Sequence, residues 1–479
     1  MRGLRAPHIV DFVTALELAR WQFGITTIYH FLFVPVTIGM TFFVAYCQTR
    51  WYRSRDEKWL RATKFWGKLM LISFALGVVT GIVQEFQFGM SWSNYSRYVG
   101  DIFGAPLAME GLAAFFVEST FLGLWIFGWG RLSERVHLAC IWLVSASTAL
   151  SAFFILAANS WMQHPVGYQM VDGKPQLTSI FSVLGNSTAL FAFAHTLLAA
   201  LITATMLIIA ISAWHILRDN ETGVFGSSLR HALPMLALAA VTTVIVGHFN
   251  GVLMSHQQPM KMAAADAVFE TKDGAGLSLF ATGDLKSNPE GLNRNIEIPN
   301  LLSFISTGYP RGEIQGINNL NAEYQQKYGP GDYAPIVAVA YWSWRAMLGI
   351  GMLAAVLGIA GWWLSRRGKL LASRRYLKLM VFAAALPFLA NTAGWIFTEM
   401  GRQPWVVFGL LKTSEAGSPS VSTFEILTTL VGFTLLYAVL AVIAGRIFLE
   451  KARKGPDPEG GDGDGEESDP TRDDLALAY

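Results

Sequence analysis

Ionisable side chains inside long apolar stretches are few in this sequence, and their types suggest chemistry. They are His30, Glu110, Glu118, His195 and Arg345, with Glu399 at the end of a stretch. Each costs about 2.5–3.5 kcal/mol on membrane-insertion scales, so each needs a partner or a task. Imidazole and thioether groups are good axial ligands for haem iron, which brings Met347 into the set, with Arg345 two residues away to neutralise a propionate. Glu110 and Glu118 lie eight residues apart on one stretch, a spacing of about 12 Å in an α-helix, and read as two rungs of a proton relay. Buried His and Glu suit a proton-coupled transporter equally well, so residue types alone leave both readings open. Each residue also has a plain reading. An intramembrane His as often bonds a neighbouring helix, Glu399 reaches the interface, Arg345 pairs between helices, and Met347 taken alone packs. His8, His137, His164, His215, His231 and His256 fall at boundaries or in loops and are expected to be solvated.

The elements that position these residues follow from hydropathy. Charged residues make up 15% of the 479 and hydrophobic ones 53%. A soluble domain carries roughly 25% charge, so a polytopic membrane protein is indicated. About 20 apolar residues cross a bilayer, and nine stretches qualify: 24–47, 69–90, 103–127, 138–159, 189–213, 232–254, 335–364, 379–399 and 426–445. The expected fold class is all-α, with nine transmembrane helices.

Lys and Arg in the connections set the orientation. The connection between stretches 1 and 2 holds seven and that between 7 and 8 holds six, whereas the short connections 2–3, 4–5 and 8–9 on the alternate side hold one or two each. The N-terminus is therefore expected outside and the C-terminus inside. Counted from the outer ends of the stretches, His30, His195, Glu110 and Glu399 gather within roughly 10 Å of the outer boundary. Cys47 and Cys140 lie in or beside apolar stretches, which argues against a disulfide, a zinc site or an iron–sulfur cluster. Residues 450–479 hold 10 acids and 4 bases, leaving 32 bases and 24 acids, a charge of +8, elsewhere. These bases sit in connections between apolar stretches, so nucleic acid is not an expected partner. Four regions result: stretches 1–6 over 1–254, an external loop at 255–334, stretches 7–9 over 335–449, and an acidic tail at 450–479 expected to be disordered.

Longer motifs go further. They are ARWQFGITTIYHFLFVP at 19–35, VTGIVQEFQFGMSWSNYSRYVGDIFGAPLAMEG at 79–111, FFVESTF at 115–121, FAFAHT at 191–196, QQPMKMAAADAVFET at 257–271, WRAM at 344–347 and GWIFTEMGRQPW at 394–405. In this order they resemble subunit I of the cytochrome bd quinol oxidases, in the class with a short quinol loop. The resemblance covers about 18 to 450. It implies a copper-free respiratory enzyme of the bacterial plasma membrane that oxidises quinol at the outer face, reduces O2 to water and generates proton motive force by charge separation. It implies low-spin haem b on His195 and Met347, with Arg345 beside them. It implies high-spin haem b and haem d on His30 and Glu399, His30 preferred for haem d. Trp395 would pack between haems. Glu110, Glu118 and Ser151 would lie on the proton route, and Lys261 and Asp266 would bind quinol. The family usually has Glu where Asp266 stands, so the charge is kept and the reach is shorter. A second membrane subunit is implied, with a small single-span one. A relative carrying haem b in place of haem d is the alternative within the family.

Overall fold

The computed structural model describes residues 14–283 and 292–457. Among them, nine helices are long and apolar enough to cross a membrane, one for each expected stretch. Span 1 is Ala15–Ser54, span 2 Glu57–Met90, span 3 Ser93–Phe127, span 4 Glu134–Gln163 and span 5 Ser187–Ile216. Span 6 is Thr222–Gln257, span 7 Val337–Arg366, span 8 Arg374–Met400 and span 9 Thr423–Lys454. Eight of the nine outrun their apolar windows, because polar residues at the ends serve the helix rather than stop it; span 7 keeps its length and starts two residues later. Thr14 with Glu17 starts span 1, and Ser422 with Glu425 starts span 9. Both are capping boxes that satisfy otherwise free N–H groups.

Two spans are irregular where the residue pattern promised a plain helix. In span 3, Glu110–Phe115 is a π-helical segment. Span 8 breaks into Arg374–Ala383 and Leu386–Met400. Pro387, near the start of the second piece, has no N–H to bond back across the break.

The main core joins spans 1, 2, 5 and 6 through fully buried Phe43, Trp66, Leu69, Ile209 and Phe225. Span 9 shows Leu435, Val439 and Val442 to the surroundings, as a lipid-facing helix would. The connection between spans 6 and 7 is folded, not open. It begins with a helix, Pro259–Asp266, and continues with the strand pairs Leu277–Gly283/Leu292–Ile298 and Lys272–Asp273/Glu313–Ile314. Helices Leu301–Thr307 and Ile317–Tyr328 complete it. It has its own core, where Ala263, Ala264, Leu320 and Tyr324 pack with Tyr341 of span 7.

Two expectations need correction. His137 and His215 are buried, not solvated. His137 lies 2.8 Å from the Gln48 side chain and 2.8 Å from the Trp125 carbonyl. His215 lies 2.7 Å from the Ala452 carbonyl and 2.9 Å from the Asn220 amide, stacked on Phe225. Each has two partners, which removes most of the cost of burying an imidazole. His164 and His231 are half-buried and His256 is exposed, while His8 lies outside the described residues. The tail also begins later than 450. Span 9 continues to Lys454, and Asp457 pairs with Lys68 at 2.7 Å. The tail from 458 onward lies outside the described residues.

Candidate functional site

The two span 3 carboxylates face span 4. Ser151 Oγ donates to Glu110 Oε1 at 2.7 Å, and Thr148 Oγ1 lies 2.6 Å from Glu118 Oε1. Eight residues of straight α-helix would leave Glu118 roughly 80° off the face of Glu110. A π segment winds less per residue and takes up part of that rotation. On span 4 the two hydroxyls are only three residues apart, about 4.5 Å of rise. The carboxyl groups therefore converge well inside the 12 Å expected from the helix axis. Glu118 is buried, and Glu110 Oε2 is buried with no hydrogen-bond partner among the described residues.

His30, His195 and Met347 each lie against a glycine. A Cβ would stand 3.2 Å from His30 Cε1 at Gly81, 3.5 Å from His195 Cε1 at Gly247, and 3.0 Å from Met347 Sδ at Gly394. The imidazole of His195 has no hydrogen-bond partner among the described residues, and its Nδ1 is buried. Such a buried ring, spared by the protein, fits a ligand that is not protein. Glycines that clear space beside it fit a flat one, so the residues present suit a haem. Span 7 starts at Val337, so Met347 lies about 15 Å along it, and His195 about 12 Å along span 5. The two are thus near one depth. His30 is deeper in its helix than the apolar window implied, because span 1 begins at Ala15. Trp395 meets Phe31 edge-on at 5.2 Å between ring centroids, tying span 8 to the residue after His30.

Glu399 is held from both sides. Asn159 Nδ2 donates to Oε1 at 3.0 Å, and Arg402 pairs with Oε2. From Asn159 a chain of hydrogen bonds runs outward. Gln163 Nε2 donates to Asn159 Oδ1 at 3.2 Å, and Lys261 Nζ donates to Gln163 Oε1 at 2.9 Å. Lys261 also donates to the Thr398 carbonyl at 2.9 Å. Burial lowers its pKa to about 7, with Arg402 adding to the effect. A small cavity beside it is lined by Tyr324, Tyr333, Arg402 and Trp405. Lys261, Ala264 and Ala265 share one short helix, Pro259–Asp266. Asp266, at its end, is buried and pairs with Arg345, which also donates to the Ala265 carbonyl at 2.9 Å. Burial pushes the Asp266 carboxyl up, and the guanidinium works against that. The charge of Arg345, expected to serve a propionate, is thus engaged by Asp266, while its buried Nε has no hydrogen-bond partner.

Comparison with known proteins decides what this arrangement belongs to. The cytochrome bd terminal oxidase subunit I family profile matches residues 18–456. The chain belongs to that family. It is 43% identical over 444 residues to cytochrome bd ubiquinol oxidase subunit 1 of Bacillus subtilis, covering 92% of this chain and 94% of the relative. It is 34% identical to cytochrome bd-II ubiquinol oxidase subunit 1 of Escherichia coli, covering 92% and 97%. The solved bd oxidase of Geobacillus thermodenitrificans superposes with a TM-score of 0.85 at 28% identity, covering 92% of this chain and 99% of that one. The chain is thus a multi-pass plasma-membrane subunit of a terminal respiratory quinol oxidase. Haem cofactors and a second subunit follow from the family. The transporter reading falls.

Within this oxidase subunit, Glu110 and Glu118 meet span 4, where Ser151 bonds Glu110, and Asp266 pairs with Arg345; the other expected residues form two groups. His30, His195, Met347 and Trp395 line spans that pack on one another, and Lys261 joins Glu399 through Gln163 and Asn159. Thr148, Thr80, Asn159 and Gln163 were missed. Thr148 could have been found three residues before Ser151, on the same helical face. Arg402 stands inside the GRQPW motif and was counted only as a loop charge.

Proposed function

We propose that this subunit binds quinol beside Lys261 and Asp266 on the outer face and holds three haems. Low-spin haem b takes His195 and Met347, and high-spin haem b and haem d take His30 and Glu399. When bound, the haems store single electrons and reduce O2 to water. One observation carries the reading: the loop helix touches two of the ligand-bearing spans, 7 and 8. Asp266 pairs with Arg345, two residues from Met347, and Lys261 bonds the carbonyl of Thr398, next to Glu399. Quinol oxidised at this helix is therefore adjacent to the side chains that hold the electron acceptors.

Proton handling divides between two faces. The neutral Lys261 amine has two N–H groups, which go to Gln163 and Thr398, and its lone pair is left for a quinol hydroxyl proton. That proton leaves on the outer side. Glu118 and Glu110, with Thr148 and Ser151, pass protons from the opposite face. Electrons that start outside and protons that come from inside separate charge across the membrane. The N-terminus lies outside in this arrangement, and a small single-span subunit joins the complex beside the second membrane subunit.

Substitutions at Lys261 and Asp266 test the loop. Lys261→Ala should raise the quinol KM or lower turnover while every haem band in the reduced-minus-oxidised spectrum stays in place; haem loss would make the loop merely structural. With a pKa of about 7, Lys261 is a cation below that pH and neutral above it. As the base for quinol, it should make kcat/KM rise as pH rises through about 7, and Lys261→Met should flatten that step. A step that survives Lys261→Met belongs to another group. Asp266→Asn leaves Arg345 charged with no carboxylate. Breaking a buried pair in this way costs roughly 3–5 kcal/mol. The loop should then become sensitive to protease at detergent concentrations the parent withstands. Asp266→Glu keeps the pair, so near-parental quinol kinetics are expected, because Arg345 already compensates for the shorter side chain.

A further inference from the structure

We propose that Thr80 is a positioning residue for His30, fixing the ring tautomer in which Nδ1 carries the proton and Nε2 presents its lone pair. This rests on the reading of His30 as a haem ligand. The Thr80 hydroxyl has one hydrogen. Its oxygen lies 2.7 Å from the Leu76 carbonyl and 3.1 Å from the Gly77 carbonyl, one turn back in span 2. Carbonyl oxygens only accept, so that hydrogen is committed to the helix backbone. A lone pair remains on Thr80 Oγ1, and His30 Nδ1 lies 2.8 Å from it. Nδ1 must therefore be the donor. A neutral imidazole protonated at Nδ1 has its free lone pair on Nε2.

The surroundings hold this arrangement in place. A Cβ at Gly81 would stand 3.2 Å from His30 Cε1 and 3.8 Å from Nε2, so only glycine lets the ring lie along span 2. Span 9 steadies the backbone at the same point. Tyr437 donates its hydroxyl to the Thr80 carbonyl at 3.3 Å and stacks on Tyr29, the residue before His30, at 4.4 Å. A hydrogen bond at the distal imidazole nitrogen orients a ligating ring and raises its basicity, and losing such a partner typically costs 10–100-fold in metal affinity.

The test uses the intact oxidase complex carrying Thr80→Val, Thr80→Ser or His30→Ala, with haem content per complex and redox potentials measured by optical titration. Valine keeps the shape of threonine and removes the acceptor. The high-spin haem on His30 should then be retained less well or shift to higher potential. A tenfold weakening confined to the ferric state raises a one-electron potential by about 59 mV. Serine should restore both values. Parental haem content and potential in Thr80→Val, alongside haem loss in His30→Ala, would overturn the positioning role and leave His30 as a ligand. Full haem content in His30→Ala would overturn both. If the low-spin α-band shows that the valine variant fails to assemble, Thr80→Ala is read in its place by the same criteria.

Discussion

Met347→Leu is expected to keep the fold and to abolish the low-spin character of the haem on His195, or to lower its potential. Leucine is close to methionine in volume, and such exchanges cost under about 1.5 kcal/mol in packing. The thioether has no substitute. His/Met ligation holds haem iron low-spin and raises its potential, so its loss acts on spectrum and potential together. The site leaves little room for another side chain to step in, because Gly394 lies directly against the sulfur. Optical spectra and a redox titration of the purified complex measure the effect. An unchanged low-spin α-band at the parental potential would reduce Met347 to a packing residue.

Glu118→Gln should leave the low-spin haem reducible by quinol and slow oxygen consumption at least tenfold, about 1.4 kcal/mol in barrier. Glutamine preserves the shape and the bond to Thr148 but carries no exchangeable carboxyl proton. Beyond Glu118, away from the loop, Leu122, Ile141 and Val144 are buried and apolar. Further along, Gln48, His137 and Trp125 are bonded to one another. If Glu118 relays protons as proposed, the second subunit is where the entrance is expected. The chain expressed without its partner should not reduce oxygen. Turnover is to be counted per spectroscopically intact haem, since a Glu118 that merely ties span 3 to span 4 would lower haem content and leave that ratio normal.

The spans were legible because lipid demands about 20 apolar residues in a row, a signal that no single substitution hides. Their ends were less so: Glu17 and Glu425 count as charges in a hydropathy window, yet both belong to helix caps. Glu110, Glu118 and Arg345 stood out because burying them in an apolar run is costly, whereas Lys261 and Asp266, in a connection, came only with the family resemblance. Thr80, Thr148, Asn159 and Gln163 did not, because uncharged polar groups raise little alarm in an apolar run and gain meaning only from what they face. His137 and His215 went the other way. Their positions near span ends suggested water, and packing from neighbouring helices supplied partners instead. The convergence of Glu110 and Glu118 was hidden too, since a winding change leaves no mark in residue types.

The π-helical segment at Glu110–Phe115 behaves as one surplus residue in an otherwise regular helix. Removing a single residue there, Leu112 for instance, would let the helix relax to regular winding without breaking it. Everything beyond would keep nearly its present facing, since seven residues of regular helix bring Glu118 to within about 20° of the face of Glu110. Homologous chains should therefore accept a one-residue gap within Gly111–Phe115 and keep the facing of Glu118, whereas the same gap in a regular span turns every residue beyond it by about 100°.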